Sequence, residues 1–397
     1  MNICLVRCRC EFLIDDRVAP PLGLMAVGAG LLRQGHEVTI YDGDLDNVPV
    51  GYDGYGLGPT APEYSYALSV RESIRRNNPE ARIVLGGPHA TINSGMCEGW
   101  DCIVVGDGEV EAAQAFTGND SIIIAQEGIL DEYPLPDRTL VNIHSYHYTL
   151  EGRAGTTLVT SRGCPFSCAF CCKNHKRVRL RSAESVITEV DLLRDRFGYR
   201  ALGFPEDIFI LDRQRAERIA DHLKARGILW RCLVRADVVV RHGAEFLQTL
   251  ADSGCVSVGI GIESGSDKIL ANISKGESTQ TITTAISMLK DAGIKVKGFF
   301  ILGLPGEDES TLEETERFLD RVSLDEVELK IYQPYPGSPI YEKPEQFDIG
   351  WKTIDLADSF FKGRRGDYRG SVFTSKLTTD RIVEVWRKLM DKYETIR

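Results

Sequence analysis

The chain has no apolar run approaching the ~20 residues that a membrane-spanning helix needs. Its opening residues, MNICLVRCRC, lack the charged-then-apolar layout of a secretion signal. Membrane insertion and export are therefore not expected, and a cytoplasmic location is. Basic excess is missing as well: 47 Lys and Arg face 58 Asp and Glu, leaving a formal net charge of −11. Such a chain has no global attraction for a polyanion, so nucleic acid is not an expected partner. One local run, Lys173, Lys176, Arg177, Arg179 and Arg181, reads either as a face for an anionic ligand or as a solvated surface. A disulfide framework is also lacking, because 11 cysteines in 397 residues is an odd and sparse count. In a reducing compartment, clustered cysteines more often bind metal or carry out chemistry.

What is present is a long alternation of strand and helix patterns in a chain large enough for two cores. In the first ~145 residues, apolar runs at 3–6, Glu37–Tyr41, 55–57, Arg82–Leu85 and Cys102–Val105 predict strands. Helical periodicity marks Leu22–Arg33 and Tyr64–Asn77. This order predicts an α/β fold with a doubly wound, Rossmann-like parallel sheet at positions 1–145. Pro20-Pro21-Leu22-Gly23, Gly86-Gly87-Pro88-His89 and Gly106-Asp107-Gly108-Glu109 follow strands as turns. Ligands of open α/β sheets sit at such strand ends, which makes Gly86, Gly87, Gly106 and Glu109 candidate binding residues; simple tight turns are the alternative. Residues 130–155, with Pro134, Pro136, Gly152 and Gly155, read as a linker.

From Thr156 onward six strands are expected, near 156–160, 200–204, 229–235, 255–261, 295–302 and 326–332, with helices between them. Val186, Val190, Leu193 and Phe197 show the helical spacing, as do Ile282, Ala285, Ile286 and Leu289. Six such units predict a partial (β/α)6 barrel over 146–340, with its active site at the strand carboxyl ends, and a short helical C-terminal extension over 341–397. The unusual residues collect just past these strands: Cys164, Cys168 and Cys171, then Glu206 and Asp207, Arg235 and Asp237, Glu263 and Ser264, Gly303 to Gly306, and Gln333 with Tyr335.

Cysteines spaced C-x3-C-x2-C on one loop can wrap a [4Fe-4S] cluster and leave one iron without a protein thiolate, open to a substrate or cofactor. Cys172 adjoins Cys171, so its side chain is expected to point elsewhere. A zinc site that borrows His175 is the alternative for the trio. Cys4, Cys8 and Cys10 superficially form another such motif, but Cys4 lies within a predicted strand. His89 either touches a ligand or bonds locally within its turn, and His144 and His147 lie in the linker.

The cysteine loop, Gly261-Ile262-Glu263-Ser264-Gly265-Ser266 and Phe300-Ile301-Leu302-Gly303-Leu304-Pro305-Gly306 together resemble radical S-adenosylmethionine enzymes. The resemblance covers roughly residues 150–340. With the N-terminal sheet domain it extends over nearly the whole chain and is similar to the cobalamin-binding (B12-binding-like) subgroup. It implies a [4Fe-4S] cluster on Cys164, Cys168 and Cys171 that reductively cleaves S-adenosylmethionine to a 5′-deoxyadenosyl radical. It also implies an electron donor such as flavodoxin or ferredoxin, a small-molecule substrate, and cobalamin as a further cofactor. Phe170 would pack near the adenine and the cluster, and Glu263 and Ser264 would contact the ribose or amino group. Arg235 would pair with the carboxylate, and Gly303 and Pro305 would line the cofactor pocket. Alternatives remain open at two of these: Glu263 as a salt-bridge partner at the barrel rim, and Arg235 paired with Asp237 or Glu206. Glu206 and Asp207 stand where relatives carry paired aspartates, as catalytic groups with Tyr335 or as helix-capping ones.

The resemblance has departures. The Asp-x-His-x-x-Gly motif of cobalamin proteins with a histidine ligand is absent, and so little chain separates Asp42 from Tyr55 that the second helix looks reduced or lost. Two outcomes follow for function. With cobalamin bound without histidine at the strand ends of the N-terminal sheet, C-methylation of a small molecule leads. With a vestigial domain, a radical dehydratase, epimerase or cyclase leads. A non-catalytic sensor and a nucleic-acid-modifying enzyme are the competing classes, and the C-terminal stretch has no basic stripe to support the second.

Overall fold

The computed structural model describes residues 1–10, 15–175, 177–352 and 370–393. Lys176 of the basic run and positions 353–369 and 394–397 of the expected C-terminal extension lie outside the described residues. The chain divides into two compact units, one built on Met1–Tyr148 together with Asn174 and His175, the other built mainly on Thr149–Lys173 and on residues from Arg177 onward.

The first unit is a six-stranded parallel sheet in the order β2-β1-β3-β4-β5-β6. Its strands are β1 (Asn2–Val6), β2 (Glu37–Tyr41), β3 (Gly54–Leu57), β4 (Arg82–Leu85), β5 (Cys102–Val105) and β6 (Ile122–Ile124). Ile3, Cys4, Leu5 and Val6 are all buried, as a central strand covered on both faces requires. One face is covered by α2 (Tyr64–Asn77) and α3 (Gly87–Asn93), through Ala67, Val70, Ile74 and Ala90. The other carries α1 (Leu22–Arg33) and α4 (Gly108–Thr117). Gly30 lets these two helices meet: a Cβ there would lie 1.9 Å from the Glu109 carbonyl oxygen. Strand order reverses between β1 and β3, and in doubly wound sheets that crevice is where ligands bind. Between β2 and β3 there is only a 3-10 turn, Leu45–Asn47, in place of a crossover helix.

Two expectations are corrected in this unit. The Gly86-Gly87-Pro88-His89 turn is the start of α3, because Pro88 sits in the first helical turn, where its missing N–H costs nothing. Part of the expected linker is ordered into 3-10 turns at Leu130–Glu132, Arg138–Leu140 and Ile143–Ser145.

The second unit is a seven-stranded sheet in the order β15-β14-β13-β12-β11-β8-β7. Six of its strands run parallel: β8 (Arg153–Thr157), β11 (Ala201–Phe204), β12 (Leu229–Val234), β13 (Cys255–Glu263), β14 (Lys295–Leu302) and β15 (Glu326–Ile331). The seventh, β7 (Thr149–Leu150), pairs antiparallel with β8 across a two-residue turn. Glu151 and Gly152 take φ 49° and 72° there, the left-handed geometry of a tight hairpin. The end of the expected linker is therefore an edge hairpin. A short antiparallel pair, β9 (Ser161–Arg162) with β10 (Arg179–Leu180), closes the neck of the cysteine loop.

Helices α5 (Ala183–Phe197), α6 (Arg213–Arg226), α7 (Ala236–Asp252), α8 (Asp267–Asn272), α9 (Thr279–Asp291) and α10 (Glu309–Arg321) fill the connections. The expected stripes face the core at Val186, Val190 and Leu193 on α5, with Phe197 only half-buried at its end, and at Ile282, Ala285, Ile286 and Leu289 on α9. The result is a curled half-barrel. The C-terminal helix Thr379–Tyr393 packs on β15 through Ile382, Trp386 and Leu389, and Trp386 Nε1 donates to the Leu329 carbonyl at 3.0 Å.

Candidate cluster and cofactor site

Cys164, Cys168 and Cys171 lie on the loop between β9 and β10, just past the carboxyl end of β8. Backbone bonds pin this loop at Ala169, whose N–H donates to Ile273 O (2.8 Å) and whose carbonyl accepts from Ile340 N (3.1 Å). Cys171 N donates to Cys168 O at 3.2 Å, a turn that brings the last two cysteines of the motif together along the chain. Burial, then the charges of Cys172, Asp207, Cys168 and Cys164, push the Cys171 thiol up to about 12. Cys164 is raised by burial too, with Asp207 and Cys168 adding and Arg235 opposing. Crowded thiols that resist ionisation beside one another suit a cationic iron centre that takes them as thiolates. Among the described residues, no group of three or more His, Cys, Asp or Glu side chains converges as a single-ion site requires.

Arg235 follows β12 and is only 6% exposed. Its guanidinium stacks 3.6 Å from the Phe166 ring centroid, and Nη1 donates toward Cys168 Sγ at 3.7 Å. Nε donates to Asp237 Oδ1 (3.0 Å), and Nη2 donates to Lys275 O (2.8 Å) and lies 3.6 Å from Glu277 Oε2. The pairing with Asp237 is thus the one the side chains adopt. Nε and Nη2 are thus engaged by protein oxygens, and Nη1 faces the cysteine loop.

Glu263 ends β13 with φ 66°, left-handed for a residue with a side chain, where the pairing with β14 slips between Gly261 and Glu263. Its Oε1 accepts from Lys275 Nζ at 2.9 Å, and that ammonium lies 3.5 Å from Glu277 Oε2. The barrel-rim ion pair is therefore formed. A Cβ on Gly261 would stand 2.4 Å from Glu263 Oε1 and 3.0 Å from Lys275 Nζ, so glycine makes the room for this pair. Burial opposes the charge of Lys275, but Glu263 and Glu277 outweigh it and raise its pKa. Glu277 itself is pushed up by burial, although Lys275 and Arg235 draw it down. Lys275, Glu277 and Phe166 were not assigned a role by sequence reasoning. The available signal was Ser274-Lys275-Gly276-Glu277, a charged pair in a turn just after the Glu263 motif.

The carboxylate pair after β11 divides. Glu206 is buried, and both its oxygens face Thr160: Oε1 accepts from the Thr160 hydroxyl and Oε2 from the Thr160 N–H at 3.3 Å. Burial pushes its carboxyl up to about 7. This ties the tip of β11 to the segment after β8, a positioning geometry and not that of a free proton relay. Asp207 is exposed and acts electrostatically on Cys171 and Cys164, so it belongs to the cluster loop's surroundings.

Ser264 is fully buried, with its hydroxyl 3.2 Å from Thr315 Oγ1 and accepting from Ser266 N, which turns it toward α10 and away from a ribose role. Gly303 has φ 82° and donates its N–H to Glu307 Oε2 at 2.6 Å. A Cβ there would lie 2.8 Å from Val372, so this glycine serves the packing of the C-terminal segment. Pro305 is buried, and its carbonyl accepts from Asn272 Nδ2. Phe170 and Tyr335 are half-buried, and Tyr335 O accepts from Ser338 Oγ at 2.7 Å. Arg181 of the basic run is buried on Glu189 at 2.6 Å, so it is neither a solvated nor a ligand-facing group.

In the first unit, Gly87 has φ 78°, and a Cβ there would lie 2.7 Å from the Gly58 backbone, so the loops after β3 and β4 touch main chain to main chain. Gly86 is half-buried and donates to Leu57 O at 2.8 Å. Gly106 takes φ 99° and receives Thr91 Oγ1 at its N–H (3.0 Å). Glu109 is buried in the first turn of α4. His89 is buried and stacks on Tyr64 at 3.9 Å between centroids; burial pushes it down to about 4. Its Nδ1 has no hydrogen-bond partner, so the local bond expected of a turn histidine is not made through that atom. Cys4 lies within β1 and is fully buried there, and Cys8 is buried too, so these thiols are packed into the core of the first unit.

A half-barrel with a three-cysteine loop at its carboxyl rim, carried in one chain with a doubly wound sheet, defines a class of two-domain iron–sulfur enzyme. A family model described as the radical SAM superfamily matches residues 158–319. An uncharacterised methyltransferase of Pyrococcus horikoshii is 30% identical over 366 residues, covering 81% of this chain and 78% of that protein. Bacteriochlorophyllide d C-12(1)-methyltransferase of Chlorobaculum tepidum is 23% identical, covering 95% and 89%. The chain belongs to the radical SAM superfamily, and it is an enzyme of that family with a [4Fe-4S] cluster and S-adenosylmethionine as cofactors. The radical S-adenosylmethionine methyltransferase TsrM of Kitasatospora setae, solved with cobalamin and a [4Fe-4S] cluster bound, superposes with a TM-score of 0.71 at 16% identity. That likeness covers 89% of this chain and 77% of TsrM, and it is one of fold. Among the described residues, no helix is long and apolar enough to cross a membrane.

Proposed function

We propose that this enzyme is a cobalamin-dependent radical SAM methyltransferase that methylates a carbon of a small molecule. The observation that carries the reading is the parallel sheet with its order reversing between β1 and β3, in the same chain as the cysteine loop. In doubly wound sheets such a reversal is the ligand crevice. The main-chain surface made by Gly58, Gly86, Gly87 and Gly106 has the small residues against which a flat corrin can lie. The cluster with S-adenosylmethionine would supply radical generation, and cobalamin a transferable methyl group.

The chain's own residues divide the remaining work. Cys164, Cys168 and Cys171 hold the cluster, while Arg235 and the Glu263–Lys275 pair fix the groups around it. Asp207 and Tyr335 are candidates for contact with substrate, and an external flavodoxin- or ferredoxin-like protein delivers the electron. The domain boundaries we assign are 1–145, 146–340 and 341–397.

One observation favours a second reading, in which the sheet domain is vestigial and the enzyme is a radical dehydratase, epimerase or cyclase. The ends of β1 and β2 are closed by charge: Asp42 pairs with Arg7 at 2.9 Å and Arg17 at 2.7 Å and accepts from the Tyr146 hydroxyl. Titration of anaerobically reconstituted protein with hydroxocobalamin, followed by gel filtration, separates the two. Stoichiometric corrin in the protein fraction is expected. Protein with an intact cluster and no corrin would sink methyl transfer and leave the second reading.

A further inference from the structure

We infer that Arg235 is a positioning residue for the iron–sulfur cluster: its guanidinium, fixed against Cys168 Sγ by Phe166, Asp237 and Glu277, biases the cluster toward its reduced form. The inference needs only the cluster on its cysteines and is independent of methyl transfer and of cobalamin.

The geometry gives the guanidinium little freedom. Phe166 supports its face at 3.6 Å, Asp237 holds Nε at 3.0 Å, and the Lys275 carbonyl holds Nη2 at 2.8 Å. The remaining nitrogen, Nη1, is left to point at Cys168 Sγ. The second layer is equally fixed, since Glu277 Oε1 accepts from Asp237 N at 2.9 Å and Lys275 bridges Glu277 to Glu263. An arginine held in this way acts on the sulfur through the directed N–H bond of Nη1, because its net charge is largely offset by the carboxylates around it.

Reduction transfers one electron from the donor protein to the cluster, and no bond or proton moves in that step. The added charge spreads onto the thiolate sulfurs, so a cationic N–H bond to one sulfur stabilises the reduced form more than the oxidised one and raises the potential. Arg235 is buried and Cys168 half-buried, so water screens this bond less than it would at the surface.

The test is an EPR-monitored redox titration of reconstituted protein without S-adenosylmethionine, with iron content measured alongside. Arg235→Gln is expected to keep four irons per chain, the content of the cubane, and to make reduction at least about tenfold less favourable, a fall of 59 mV for one electron. Arg235→Lys, which keeps charge but loses the planar fork, should fall by less. Phe166→Leu changes no charge and removes only the platform, so a fall in the same direction is expected there. An unchanged midpoint potential and EPR spectrum in Arg235→Gln with full iron would overturn the inference. If Arg235→Gln loses iron, Phe166→Leu decides, and an unchanged potential in that variant overturns it equally.

Discussion

Single side chains account for most of what can be tested here. Replacing Cys164, Cys168 or Cys171 by Ala should abolish iron binding by anaerobically reconstituted protein, while Cys172→Ala should retain it; iron analysis with EPR checks this. Loss of iron in Cys172→Ala with retention in Cys171→Ala would mean the ligand register is wrong. Glu206 gives a pH signature. Its folded pKa of about 7 exceeds the ordinary 4.5, so the native state keeps a proton that the unfolded chain releases. Its contribution to stability is therefore greatest below the ordinary value, falls as pH rises through the window between the two, and is flat above it. In Glu206→Gln the side-chain amide mimics the protonated acid: the NH2 donates to the Thr160 hydroxyl and the oxygen accepts from the Thr160 N–H. The variant's stability relative to the natural protein should rise between pH 5 and 7 and then level, by at most about 3 kcal/mol. Urea midpoints at pH 5 and pH 8 measure this, and equal differences at both would show that Glu206 is ionised in the fold.

Elements with strong periodicity were legible in the sequence. Leu22–Arg33, Glu37–Tyr41, Tyr64–Asn77, Arg82–Leu85 and Cys102–Val105 begin and end where their apolar spacing predicts. Elements whose signal is weaker were not: α3 hides behind Gly-Gly-Pro, and β6 is three isoleucines long. The β7–β8 hairpin lies inside a stretch whose glycines suggested a linker. The cysteine trio stands out in the sequence because its members lie close together on one loop. The ion-pair network was not, because Arg235, Glu263 and Lys275 meet only through tertiary packing, and charge alone does not reveal a partner. At this scale the C-terminal helix makes its own prediction. Trp386 is buried on β15 and bonded to the Leu329 carbonyl, so Trp386→Ala should cost roughly 3–5 kcal/mol. A shift of the urea midpoint checks it, and an unmoved midpoint would show that the helix adds little to the sheet it covers.

Over the whole molecule, the fold follows from β/α alternation repeated through two sheets, while the chemistry rests on side chains gathered from distant parts of the second one. The cysteine loop illustrates the dependence. Its central residue, Ala169, is held by the main chain of Ile273 and of Ile340, both far later in the sequence. A ribosome must therefore release the chain past Ile340 before that loop has both of these anchors. A truncated product ending before residue 340 would emerge with its cysteines in place but with one of the loop's two anchors missing.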